Sequence, residues 1–257
     1  MIESASLWLI MLAMFAAMFA AYEGGMRLHH ALRPFADGKR NDSSDESLSM
    51  SAVFGLLALL LAFAFGLALN RYEERRNLVT SEASAISTFA SRLELLPAAN
   101  RDTLRPVLAD YARARLAASL DANGDLSGAS HGTAALHDRL EGQLYAVLSA
   151  LPADARTTLL VQSFDTLGDV ATERQAARAA RLPVIVVDLL AFYCVIGSLM
   201  LGYAVAATNS RHRATATVFF ALLAFAFATI LDLDRPRGGL IVVPQDVLEQ
   251  TVAKLRR

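Results

Sequence analysis

Asp121, Asn123, Asp125 and Ser127 alternate in the way that the first oxygen ligands of a calcium loop do. The pattern then breaks. Leu126 stands where the turn needs glycine, and Gly132 stands where a bidentate Glu is required. The segment Asp121 to Gly132 reads as an Asx-rich loop with no metal site. The histidines, His29, His30, His131, His137 and His212, form no HExxH pair and no i,i+4 couple. No nucleophile elbow, phosphate-cradling loop or dinucleotide fingerprint occurs. An enzyme is therefore not expected, and neither is a metal or cofactor. Asp188 stands out because it lies one turn inside an apolar block, LPVIVVDLLAF, where a carboxylate must face protein, water or a cation. It either pairs with Arg178 or Arg181 near the headgroups or flanks the mouth of a pore. Arg71, Arg75 and Arg76 form a basic collar at the end of another apolar block. Such a collar anchors lipid headgroups or attracts anions.

The elements that position these groups follow from composition. The chain has 257 residues, 54% of them hydrophobic and 19% charged, with a mean hydropathy of +0.38. Soluble domains carry about 25% charged residues. A net charge of −1 gives no field to gather nucleic acid, and the single cysteine, Cys194, excludes an internal disulfide. The apolar residues are pooled in four blocks: Ser4 to Tyr22, Ser47 to Asn70, Leu189 to Ser210 and Ala214 to Leu231. Each is about the length of a membrane-spanning helix. The first lacks the basic leader of a signal peptide and reads as a retained span.

Four spans put both termini and the long middle segment on one side of the membrane. Arginines near the membrane lean slightly toward placing that side in the cytoplasm. The spacing predicts that the second span runs on as an amphipathic helix to Leu96. Further helices are expected over Asn100 to Leu120, Thr133 to Leu151 and Ala153 to Arg181. No strand signal is present, so the fold class is all-α. Residues 1–70 hold spans one and two, 71–182 a cytoplasmic helical domain, 183–232 spans three and four, and 233–257 a cytoplasmic C-terminal segment.

The second span carries two stripes. Ser51, Gly55, Ala58, Ala62 and Gly66 form a smooth face that suits close helix packing. Leu59, Phe63, Gly66 and Asn70 form an adjoining face that would also suit a hydrophobic constriction on an ion path.

The stretch LLALLLAFAFGLALNRYEERRNLVTSEASAISTFASRLELLP (Leu56 to Pro97) resembles the opening of the bestrophin-like domain of bacterial membrane proteins. The ending LDRPRGGLIVVPQDVL (Leu233 to Leu248) is similar to that family's closing motif, with Arg237 where an aromatic is usual. The motif residues are Arg71, Tyr72, Arg75, Arg76, Asn77, Glu82, Asp234, Arg235, Pro236 and Gly239. The resemblance implies a four-span plan with cytoplasmic termini, a helical insert between spans two and three, and a distant likeness to pentameric anion channels. By the same resemblance, Leu59 and Phe63 would form a pore constriction. Ser51, Gly55, Ala62, Gly66, Asn70, Arg71, Arg75 and Asp188 would line the pore or its mouth.

The expectation is a homo-oligomer in the bacterial inner membrane that contacts lipid and passes chloride or another small anion. The alternative is a membrane-anchored scaffold or sensor without a pore, acting through its cytoplasmic helices. Asp232 and Asp234 are expected to pair with Arg235.

Overall fold

The computed structural model describes residues 6–32, 43–120, 126–207, 213–236 and 239–256. The described residues form eight helices and no strand: α1 (Leu7–Leu32), α2 (Ser43–Leu93), α3 (Ala98–Leu120), α4 (Leu126–Ser149), α5 (Ala155–Ala179), α6 (Val184–Ala207), α7 (Arg213–Asp234) and α8 (Asp246–Leu255). Four of them are long and apolar enough to cross a membrane: α1, the first part of α2, α6 and α7. The chain divides into two compact units. One comprises Met1–Arg71 with Arg181–Ile241, and the other Tyr72–Ala180 with Val242–Arg257.

In the first unit α1 packs on α6 and α7. Apolar spans in lipid gain nothing from hiding oil from oil, so they associate where small residues let backbones approach. Two glycines do this reciprocally. A Cβ on Gly25 would collide with the carbonyl oxygen of Leu199, and one on Gly202 with the carbonyl oxygen of Tyr22. Tyr22 is fully buried beside this crossing and meets Phe220 edge-on at 5.6 Å. Helix α1 runs ten residues beyond Tyr22, where the apolar block ends, to Leu32. Gly25, buried against α6, is part of that continuation.

The closing motif acquires a mechanism here. The Asp232 carboxylate accepts the backbone N–H groups of Leu240 (3.0 and 3.1 Å) and Ile241 (3.0 Å). A Cβ on Gly239 would overlap that carboxylate, so the motif glycine is required by close approach. Asp234 accepts the N–H of Leu182 at 2.8 Å, just ahead of α6. These backbone partners correct the expected pairing of Asp232 with Arg235. Turning back the chain leaves backbone donors that a buried carboxylate satisfies directly.

The second unit has an apolar core built from one stripe of each helix: Ile86 and Phe89 of α2, Leu104 and Tyr111 of α3, Leu140 and Leu144 of α4, Leu160 and Leu167 of α5, and Leu248 and Val252 of α8. Helix α5 opens with a capping box. The side chain of Asp154 accepts the N–H groups of Arg156 (2.9 Å) and Thr157 (3.1 Å), and the Asp154 N–H donates to Thr157 Oγ1 at 3.0 Å. The Thr157 and Arg156 hydrogen bonds hold the Asp154 carboxyl below its ordinary range.

One helix boundary needs correction. Helix α4 begins at Leu126, seven residues before the expected Thr133, so part of the glycine-bearing loop is helical. The stripe of Thr133, Leu140 and Leu144 packs firmly, and helix growth back from it is cooperative. Asp121 to Asp125, the start of the calcium-like pattern, lie outside the described residues. The C-terminal segment, for which the sequence reading names no helix, contains α8, whose Leu248, Thr251 and Val252 are buried.

Candidate ion pathway along helix α2

Helix α2 is unbroken over 51 residues, so at about 100° per residue its side chains fall on fixed faces. Taking Leu59 as the reference, Ala52, Gly55, Phe63, Gly66, Asn70, Glu73, Asn77, Ser81, Ser84 and Thr88 all lie within about 40° of it. Every one of these is exposed except Gly66, which is half-buried. Leu59 is 66% exposed and Phe63 63%. The opposite side of α2 makes the contacts within the chain, through Leu57, Ala64 and Ala68 and then Val79, Ala83 and Ile86. The face therefore changes character once along its length. It is apolar up to Gly66 and carries amides, hydroxyls and the Glu73 carboxylate from Asn70 onward.

The small-residue stripe lies beside this face. Ser51, Gly55, Ala58 and Ala62 are exposed and Gly66 is half-buried. The stripe therefore supplies little of the packing within one chain.

The basic collar is split. Arg71 and Tyr72 are half-buried, Tyr72 packing against the core of the second unit, while Arg76 and Asn77 are exposed. Arg75 is only 4% exposed and lies about 160° around the helix from Leu59. The helical period thus removes Arg75 from the face where the sequence reading placed it. Where α2 leaves the apolar block, the exposed Glu73 lies on that face and the exposed Glu74 about 60° from Leu59. Asp188 is exposed in the second turn of α6. Arg235 and Pro236 are half-buried after α7.

Glu82 has a different role from the rest of the motif. It is fully buried and bridges two guanidiniums, those of Arg115 on α3 and Arg174 on α5. Arg174 also donates to Ser119 Oγ at 2.6 Å and to Gln245 Oε1 at 2.7 Å, and Arg178 donates to Ser119 Oγ at 2.8 Å. One carboxylate thus ties α2, α3, α5 and the segment leading into α8 together. Burial lowers the Arg115 pKa from its ordinary value. A guanidinium nevertheless stays charged in a protein, and Glu82 supplies the counter-charge that its burial demands. Burial also pushes the Tyr111 phenol up.

Sequence reading missed Arg115, Arg174, Ser119 and Gln245. The available signal was positional. Glu82, Arg115 and Arg174 each interrupt the apolar stripe of their own helix, between Val79 and Ile86, after Leu108 and Ala112, and after Leu167. A charge on a core stripe requires a buried partner.

A family model described as the bestrophin-like domain matches residues 19–248. Solved structures of a bacterial bestrophin homologue from Klebsiella pneumoniae share the fold. A single-substitution variant superposes with a TM-score of 0.70 at 14% identity, covering 95% of this chain and 97% of that one. A second variant gives 0.72 at 13% identity, covering 98% and 97%. A structure solved by zinc phasing gives 0.69 at 16% identity, covering 97% of each. No curated protein matches this chain at a significant level. With the family model spanning most of its length, this chain belongs to the bestrophin-like family.

Proposed function

We propose that the protein is an oligomeric ion channel of the bacterial inner membrane. The observation that carries this reading is the single exposed face of α2, apolar up to Gly66 and polar from Asn70 onward, where amides and hydroxyls are joined by Glu73. Arranged around a symmetry axis, such faces would form a narrow apolar neck that opens into a hydrated vestibule. Leu59 and Phe63 would constrict the neck. Ser51, Gly55, Ala62 and Gly66 would let neighbouring α2 helices approach. Asn70 and Glu73 would stand on the lining at the inner mouth, with Arg71 to the side of that face and Asp188 flanking it, and Arg75 has no part in the lining. Pentameric assembly and permeability to chloride or another small anion follow the plan of the bestrophins. Residues 71–182 and 233–257 would lie in the cytoplasm, on the side of both termini, with lipid around the spans.

Purified protein in chloride-loaded liposomes tests this, with oligomer mass determined on the same sample. Chloride efflux from a ring-sized oligomer supports the channel. Tight vesicles holding correctly inserted protein would replace it with a scaffold that acts through its helical unit.

A further inference from the structure

A groove of about 650 Å³ lies within the second unit between α2 and α5. Its α2 wall presents Asn77, Thr80, Ser81, Ser84, Thr88 and Arg92. Hydroxyls inside helices either donate to a carbonyl one turn back or point outward. Several in this unit make that bond. Ser91 donates to Ser87 O, and on the α5 wall Ser163 and Thr166 donate to Leu160 O and Gln162 O. Thr80, Ser81, Ser84 and Thr88 make no such bond, and among the described residues their hydroxyls have no partner. Their O–H groups are free to donate into the groove.

Ser84, Thr88 and Arg92 recur every four residues, so their side chains stack along one face. Arg92 is held in place, with Nη1 donating to Leu159 O of α5 at 2.6 Å. A guanidinium has five N–H donors, so the rest of this fork stays available. The residues lining the groove include no carboxylate. A row of hydroxyl donors leading to one anchored guanidinium, with no carboxylate in the lining, suits a small oxyanion. Such an anion accepts a bidentate pair from arginine and further bonds from hydroxyls.

We propose that the α2–α5 groove is a binding site for a small phosphate-like oxyanion, held by Arg92, Thr88 and Ser84 with Ser81 at its edge. The site lies beyond the neck at Leu59 and Phe63, on hydroxyls of the same α2 face, and phosphate binding there is read without any measurement of conduction.

Isothermal titration of the purified full-length protein with inorganic phosphate, sulfate and chloride at constant ionic strength tests the site. The expected result is saturable phosphate binding, competition by sulfate and much weaker binding of chloride. The double variant Ser84→Ala with Thr88→Val removes exposed hydroxyls that support no internal contact. It should weaken phosphate binding on the order of tenfold or more, with an unchanged thermal transition. Arg92→Gln should abolish binding. Because Arg92 also ties α2 to α5, the hydroxyl variant decides the matter. Absence of saturable phosphate binding by the natural protein, preference for chloride, or wild-type affinity in the hydroxyl variant would each overturn the proposal.

Discussion

Replacing Glu82 with Gln tests the buried hub of the helical unit. The substitution is nearly isosteric, so it opens no cavity. It removes one negative charge from between two guanidiniums that are 8% and 2% exposed, those of Arg115 and Arg174. The amide oxygen can still accept from one arginine, but its NH2 group is presented to the other. Removing one partner of a buried ion pair costs about 3–5 kcal/mol, because the remaining charge stays desolvated and uncompensated. For a chain of this size each kcal/mol lowers Tm by roughly 2–4 °C. A fall of about 10 °C is therefore expected, followed by far-ultraviolet circular dichroism on the purified protein. Glu73→Gln is the control. It removes the same charge from an exposed site on the same helix, where the effect should stay within about 0.5 kcal/mol. A Glu82→Gln variant that melts within about 2 °C of the natural protein would refute the view that Glu82 organises α2, α3 and α5.

Two further perturbations follow from the same structure. Gly202→Val pushes a side chain into the backbone of Tyr22, which cannot yield as a flexible side chain would. It should force α1 and α6 apart at a cost of about 1–3 kcal/mol or more, seen as a lower melting transition and loss of monodisperse protein in size-exclusion chromatography. Asp154→Ala removes the capping box of α5, and the effect should depend on pH. The folded-state pKa of Asp154 is lowered, so its stabilisation is fully present above the unfolded carboxylate value of about 3.9. It fades as pH falls through the lower folded value. The gap in Tm between natural protein and variant should be open at pH 7 and close in acid, and a gap that persists unchanged in acid would contradict the cap.

The spans and the all-α class were legible because membrane helices announce themselves by composition, with Ser47 to Asn70 and Ala214 to Leu231 falling inside α2 and α7. The α2 face was partly legible, since Leu59, Phe63 and Asn70 share a helical period. Burial was not, and Arg75 shows why. Adjacent arginines in NRYEERRN look alike in a string, while the helix turns Arg75 inward and Arg76 outward. The Glu82 hub joins residues 33 and 92 positions apart, a tertiary pairing that only the interrupted apolar stripes could have hinted at. Gly239 was visible as a motif glycine, but its reason, the Asp232 carboxylate lying against it, is a contact made by the folded turn. Helix α8 escaped because ten residues after a proline-bearing segment carry too few turns to establish a period.

The central claim is that the exposed face of α2 lines an ion path with its narrowest point at Leu59 and Phe63. Chloride efflux from liposomes holding the Leu59→Ala, Phe63→Ala double variant measures it most directly, against natural protein at matched density and oligomer mass. A widened apolar neck should raise the flux several-fold. Unchanged flux from a variant that still assembles would place the narrowest point elsewhere and contradict the account.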